Sequence, residues 1–334
     1  MDLLAWVVFL AGLVIIVLGA ELLLKGASRI ALLLGIPPIL VGLTIVSVGT
    51  STPELAVGIT AVAEGKGSLA VGNIAGTNIL NILFILGLSA LIRPLPLRLL
   101  STRLDVPVMI ASAVALVAMS ADRVITRFEG LVLLAAAVPY TVALVYLSRR
   151  ESPAARREFT EEYGHEQAVP PPGSAVPPRR AAVGAWSTVL LAAGMALTVL
   201  GAELLVSGAV DIAAAMGVSD AVIGLTIVAV GTSAPELATT LVATIKDDRD
   251  VAVGNLIGSS IYNILVILGI TCAVAPAGVQ LSAGILLVDL PLAALVAVAC
   301  LPVFRSDRRV SRREGGTFVA AYLLYLGSLL LLRT

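Results

Sequence analysis

Residues Gly42–Glu54 read Gly-Leu-Thr-Ile-Val-Ser-Val-Gly-Thr-Ser-Thr-Pro-Glu, and 182 positions later Gly224–Glu236 read Gly-Leu-Thr-Ile-Val-Ala-Val-Gly-Thr-Ser-Ala-Pro-Glu. The same offset carries Val17–Leu23 onto Val199–Leu205 and Val71–Leu83 onto Val253–Leu265, and it slips to 184 where Asp105-Val-Pro107 matches Asp289-Leu-Pro291. The chain is therefore one unit written twice. The unit is apolar throughout. Its runs are Leu3–Leu18, Pro38–Val62, Ser68–Ile92, Val106–Met119 and Gly130–Leu147, then Trp186–Val206, Ala221–Ile245, Val251–Val274, Leu281–Val303 and Thr317–Leu332. Most approach the roughly 20 residues that cross a bilayer, and the two shortest need flanking residues to do so. Only 13% of the 334 residues are charged, against about 25% in soluble domains. An odd number of crossings inserts the second copy upside down, as in the inverted repeats of secondary transporters. The expectation is an all-α integral membrane protein of ten transmembrane helices in two inverted five-helix repeats.

Charge distribution sets the orientation. With the N-terminus outside, 18 of the 22 basic residues fall in inward loops, and Lys66, Arg123, Arg127 and Arg333 stay outside. The positive-inside rule favours that arrangement, with both termini external. Residues 1–148 form the first repeat and 185–334 the second. Between them, residues 149–184 hold interleaved Arg and Glu and the prolines Pro170–Pro172, Pro177 and Pro178, which reads as a cytoplasmic linker. Cys272 and Cys300 lie in apolar runs without metal spacing, and the single histidine, His165, lies in the linker. Glu21 and Lys25 stand at the spacing of a helix-surface ion pair. Asp105 and Asp289, each ahead of a Val-Pro or Leu-Pro, suit helix starts.

The repeated stretch carries the chemistry. Pro53 and Pro235 have no N–H for the carbonyls of Gly49 and Gly231, so each helix should bend or unwind there. Freed carbonyls at membrane depth must be buried in protein or line a wet cavity. Carbonyls near Ser47 and Ala229 join the hydroxyls of Thr50, Ser51, Thr232 and Ser233 at that level. Glu54 and Glu236 add charge; a carboxylate at mid-bilayer costs about 2.5 kcal/mol or more and marks function by default. No basic partner lies in the neighbouring runs, so a cation is the obvious one. The following run adds Thr77 with Asn81, and Ser259 with Asn263, each pair four residues apart on one helix face. Asn73 and Asn255 suit caps or contacts between helices better than ligands. A set of carboxylates, amides, hydroxyls and carbonyls suits Ca²⁺ or Na⁺ rather than Zn²⁺ or Cu⁺.

Gly-Thr-Ser-x-Pro-Glu in each half, followed by Gly-Asn-x-x-Gly-(Thr/Ser)-x-Ile-x-Asn, resembles the two alpha-repeats of the calcium/cation antiporter superfamily. The nearest branch is the prokaryotic sodium/calcium exchangers. The resemblance covers nearly the whole chain. It implies a site at the centre of the second, third, seventh and eighth helices, with the first and sixth sliding across that core. It implies Glu54 and Glu236 as carboxylates shared by Ca²⁺ and Na⁺, with Thr50 and Thr232 added for Ca²⁺. For Na⁺ it implies the carbonyls of Ser47 and Ala229 with Ser51, Ser233, Thr77 and Ser259. Asn81 matches the family's central amide. Asn263 departs from an Asp common in this branch, and the two Asn argue against K⁺ cotransport. Thr50 and Thr232, where proton-coupled members carry Asn, argue against H⁺ coupling. The function implied is electrogenic Na⁺/Ca²⁺ antiport in a prokaryotic-type cell membrane, with the two ions and the lipid bilayer as partners. No cofactor, enzymatic step, nucleic acid or obligate protein partner is expected. H⁺/Ca²⁺ antiport or another divalent cargo stays open, as does a channel.

Overall fold

A computed structural model describes residues 3–34, 36, 38–97, 101–149, 178–217, 229–306 and 309–332. Helices make up nearly all of it: α1 (Leu3–Leu34), α2 (Gly42–Thr50), α3 (Thr52–Ala63), α4 (Gly67–Ile92), α5 (Ser101–Asp122), α6 (Arg127–Arg149), α7 (Pro178–Ala215), α8 (Ala229–Gly231), α9 (Ala234–Ile245), α10 (Arg249–Val274), α11 (Ile285–Phe304) and α12 (Arg312–Leu332). Among the described residues, seven helices are long and apolar enough to cross a membrane, and eight if the bent pair α2–α3 is one span. The chain is a multi-pass membrane protein. The expected span over 221–245 is described only from Ala229 onward. Most of the expected linker, residues 150–177, lies outside the described residues, and α7 begins at Pro178, inside the stretch read as linker.

Helices α4 and α10 are the centre. Their apolar windows are 78% buried, against 28–39% for the other five helices long and apolar enough to cross a membrane, which turn large apolar side chains such as Leu13, Leu131 and Leu295 outward. That inside-out surface is what lipid favours. The equivalent helices α1 and α7 run antiparallel: Gly12 lies against Leu205, Gly19 against Thr198 and Gly26 against Leu191. The contact needs glycine. A Cβ at Gly194 would stand 2.2 Å from the Leu23 nitrogen, and one at Gly201 2.4 Å from that of Ile16. Glycines at Gly12, Gly19 and Gly26, and at Gly194, Gly201 and Gly208, recur every seven residues on one face of each helix. Small residues let membrane helices approach closely.

Two short ladders complete the pseudo-symmetry. β1 (Leu95–Pro96) pairs antiparallel with β4 (Arg309–Val310), and β2 (Val124–Ile125) with β3 (Val279–Gln280). The Leu95–Val310 pairing and the Val279–Ile125 pairing exchange when the halves are swapped. Each ladder therefore ties one half to the other.

Two expectations change here. Glu21 takes its ion pair with Lys246, 2.9 Å away at the end of α9, rather than with Lys25 on its own helix. Asp105 does not cap a helix. It continues one, with φ −69° and ψ −47°, and it makes no capping bond. It is fully buried and accepts a hydrogen bond from the Tyr140 hydroxyl at 3.2 Å. Asp289 is placed alike, with the Tyr325 hydroxyl at 3.4 Å. A tyrosine from the last helix of each repeat thus meets an aspartate inside the preceding one.

Candidate functional site

The repeated stretch breaks as its proline requires. Helices α2 and α3 meet at 46° around Ser51, whose φ −82° and ψ 11° leave the helical region. In the second half a turn at Thr232–Ser233 separates α8 from α9, and Ser233 has φ −93° and ψ 9°. Pro53 and Pro235 then sit in the first turn of α3 and α9, where a missing N–H costs nothing. Glu54 and Glu236 follow in that same turn, where the helix N-terminus favours negative charge.

The breaks cross. Ser51 Oγ lies 3.3 Å from Glu236 Oε1, and Ser233 Oγ lies 3.5 Å from Glu54 Oε1 and 3.2 Å from Thr77 Oγ1. Each carboxylate is therefore held by the serine of the other half. Both carboxylate contacts are longer than the usual O–H···O distance of about 2.7–2.8 Å. The carboxylates are placed but thinly satisfied. Both are buried, at 1% and 0% exposure, and Oε2 of each has no partner among the described residues.

Neutral polar residues of the same motifs are buried as well. Ser47, Thr50, Ser51, Thr77, Asn81, Ser233, Ser259 and Asn263 are all buried, and Thr232 is half-buried. Ser47 Oγ lies 2.6 Å from the Gly42 carbonyl and 3.0 Å from that of Asn255. Thr50 Oγ1 reaches the Ser47 carbonyl and Asn255 Oδ1, both at 3.3 Å, and Thr232 Oγ1 reaches Asn73 Oδ1 at 3.4 Å. Asn73 and Asn255 thus join helices, the role preferred for them from sequence. Ala229 contributes its place in α8. Both amide atoms of Asn81, Asn263 Oδ1 and Ser259 Oγ have no partner among the described residues. Unpaired buried polar atoms are few in a folded protein, and each calls for a reason. Here two are the Oε2 atoms of Glu54 and Glu236, and four belong to Asn81, Asn263 and Ser259 of the repeated motifs.

Close packing holds the halves together at this level. Gly258 on α10 lies against α2, where a Cβ would be 2.3 Å from Ser47 Oγ and 2.6 Å from the Leu43 carbonyl. Local backbone helps too: α4 widens to a π-helix over Leu80–Leu86 and α10 over Asn263–Leu268. Such segments cluster at functional sites. The first begins one residue before Asn81, the second at Asn263.

Sequence reasoning missed three contributors. Thr240 accepts from Asn255 Nδ2 at 3.1 Å. Its counterpart is Gly58, so the repeat conceals it. Thr239 is buried with its hydroxyl unpartnered among the described residues. Asn78 donates to the Ser260 carbonyl at 3.0 Å and accepts from Asn263 at 3.2 Å. The polar pairs Thr77-Asn78 and Ser259-Ser260 within apolar runs were the available signal. Among the described residues no cluster of three or more His, Cys, Asp or Glu occurs. The chemistry offered is two buried carboxylates, each met by the serine hydroxyl of the other half, with Thr77 joined through Ser233.

Known proteins share this design. The sequence profile described as sodium/calcium exchanger protein matches residues 4–146 and 186–331. The CaxA protein of Alkalimonas amylolytica is 38% identical over 97% of this chain and 98% of its own. The sodium/calcium exchanger MaX1 of Methanosarcina acetivorans is 29% identical over 96% of this chain and 97% of its own. Among solved structures, the sodium-calcium exchanger NCX_Mj soaked with 2.5 mM Na⁺ and 0.1 mM Ca²⁺ superposes with a TM-score of 0.80 at 27% identity, covering 98% of this chain and 99% of that one. With the paired Gly-Thr-Ser-x-Pro-Glu breaks, these matches place this chain in the sodium/calcium exchanger family of membrane antiporters.

Proposed function

We propose that this protein exchanges Na⁺ for Ca²⁺ by alternating access, through one site at which Glu54 and Glu236 bind either cation. The crossed contacts Ser51–Glu236 and Ser233–Glu54 support the reading, because each joins a serine of one half to the carboxylate of the other. Thr50, Thr232, Ser51, Ser233, Thr77, Ser259, Asn81 and Asn263, with the carbonyls of Ser47 and Ala229, supply neutral oxygen. Hard oxygen ligands suit both ions. Two carboxylates neutralise one Ca²⁺ or two Na⁺, and a third Na⁺ leaves the loaded site at +1. That charge moved through 100 mV is worth about 2.3 kcal/mol, which helps expel Ca²⁺. An empty site bears two uncompensated charges in hydrocarbon, so the return step runs only when a cation is aboard.

The reading uses ten crossings with both termini outside, repeats over 1–148 and 185–334, and a cytoplasmic linker over 149–184. Helices α1 and α7, zipped by their glycines, move as one pair across the core. Proteoliposomes loaded with Na⁺ and diluted into Na⁺-free medium containing ⁴⁵Ca²⁺ should accumulate the label. They should accumulate more when valinomycin and K⁺ offset the charge moved. Uptake driven by a pH gradient and not by Na⁺ would overturn Na⁺ coupling. Ca²⁺ flux with no counter-cation would overturn antiport.

A further inference from the structure

Asn263 is wholly buried where α10 widens, on a stretch packed against α3, the helix that begins beside Glu54. Its Nδ2 donates to Asn78 Oδ1 at 3.2 Å, and Asn78 Nδ2 donates to the Ser260 carbonyl at 3.0 Å. The two ends of an amide look alike to a diffraction experiment, and hydrogen bonding decides between them. Here the relay decides. A backbone carbonyl only accepts, so the atom of Asn78 facing Ser260 must be its amide nitrogen. That turns Asn78 Oδ1 toward Asn263, and an oxygen there admits only the amide nitrogen of Asn263. One orientation remains for Asn263. Its Oδ1, buried and without a partner among the described residues, is turned away from Asn78.

Asn81, the equivalent residue of the first half, has no such partner. The position equivalent to Asn78 is Ser260, whose hydroxyl turns back to the Leu256 carbonyl at 2.9 Å. Neither amide atom of Asn81 is paired among the described residues. The two central amides therefore differ. One is held by a relay and the other is not.

We infer that Asn78 is a positioning residue that fixes the Asn263 side chain with its carbonyl oxygen offered to the cation of the shared site. The inference rests on the binding role proposed above for Glu54 and Glu236. An unheld amide samples both orientations, and one of them presents N–H groups to a cation. The relay removes that orientation. It gives the second repeat an aligned neutral oxygen where a carboxylate would add a third charge.

The test is equilibrium binding of ⁴⁵Ca²⁺ and ²²Na⁺ to the purified full-length protein, combined with gradient-driven uptake. Asn78→Ser removes the relay and places at this position the residue its counterpart carries, so folding should hold. Asn78→Leu is the second variant if it does not. The dissociation constant for Ca²⁺ should rise about 3- to 10-fold, the size of one net hydrogen bond, while the maximal uptake rate changes less than about 2-fold. Asn263→Ala should raise it similarly. In the Asn263→Ala background Asn78→Ser should add nothing, since one residue acts through the other. Unchanged Ca²⁺ affinity in a folded Asn78→Ser protein, or additive effects in the double variant, would overturn the inference. If Ca²⁺ binds but a Na⁺ gradient drives no uptake, the exchange reading fails while the binding comparison still decides this one. If wild type binds neither ion, both fall.

Discussion

Adding one methyl group at Gly258 should separate the two halves of the site. Its Cβ would stand 2.3 Å from Ser47 Oγ, 2.6 Å from the Leu43 carbonyl and 2.8 Å from Leu43 Cα, where ordinary contact begins near 3.4 Å. Two of those atoms are backbone, so α2 and α10 must part by about 1 Å, enough to forfeit a quarter to a half of each dispersion contact along the seam. Overpacking of this kind costs about 1–3 kcal/mol. The same shift stretches the Ser47–Asn255 contact of 3.0 Å and the Thr50–Asn255 contact of 3.3 Å, each a hydrogen bond worth about 0.5–1.5 kcal/mol net. The sum, about 2–6 kcal/mol, should appear as a lowered unfolding temperature in detergent and as Ca²⁺ affinity weakened by at least about 10-fold. Gly316→Ala is the matched control, because its Cβ would meet only Leu91 Cδ2 at 3.6 Å. If Gly258→Ala melts and binds like Gly316→Ala, then α2 and α10 are not in the contact described, and the site geometry built on it is wrong.

Other substitutions probe separate parts of the account. Glu54→Gln and Glu236→Gln should each abolish Na⁺-driven ⁴⁵Ca²⁺ uptake without lowering the unfolding temperature, since each removes a buried charge. A destabilised Gln variant would mean that the carboxylates hold the fold. Gly201→Ala brings a Cβ to 2.4 Å from the Ile16 nitrogen and should cost about 1–3 kcal/mol, read by thermal unfolding; a neutral result would deny the α1–α7 seam. Lys246→Met breaks the ion pair with Glu21, and because both side chains are about one-third exposed the loss in stability should stay below about 1 kcal/mol. Asn263→Asp adds a third carboxylate and should tighten Ca²⁺ relative to Na⁺ in competition binding; an unchanged ratio would place residue 263 outside the cation's reach.

Much of this architecture is legible in the amino-acid sequence because the repeat supplies an internal alignment. Two copies of Gly-Thr-Ser-x-Pro-Glu at one offset identify a break, its hydroxyls and its carboxylate, and the offset pairs each helix of one half with its counterpart in the other. What escaped notice has physical reasons. The site is asymmetric where the repeat is not informative: Thr240 faces Asn255, but the first half has Gly58 at that position, and Asn78 is matched by Ser260. The pairing of Glu21 with Lys246 joins residues far apart in the chain, whereas sequence spacing points only to the local Lys25. Asp105 precedes a proline and so looks like a helix start, yet the helix runs through it because α5 begins with a π-turn at Ser101–Asp105. Its buried carboxylate finds Tyr140 instead of a free N–H. The sevenfold glycine spacing of α1 and α7 was readable, but only the antiparallel contact shows what it is for.

The central claim is that one cation sits between carboxylates from opposite halves. Diffraction from crystals soaked in Sr²⁺, an electron-dense stand-in for Ca²⁺, tests it most directly. The account predicts an anomalous peak within about 2.3–2.6 Å, the range of Ca²⁺–oxygen bonds, of an oxygen from Glu54 and an oxygen from Glu236, and its loss in Glu54→Gln. A peak bound to one carboxylate alone, or found only at surface acids such as Glu64, would contradict it.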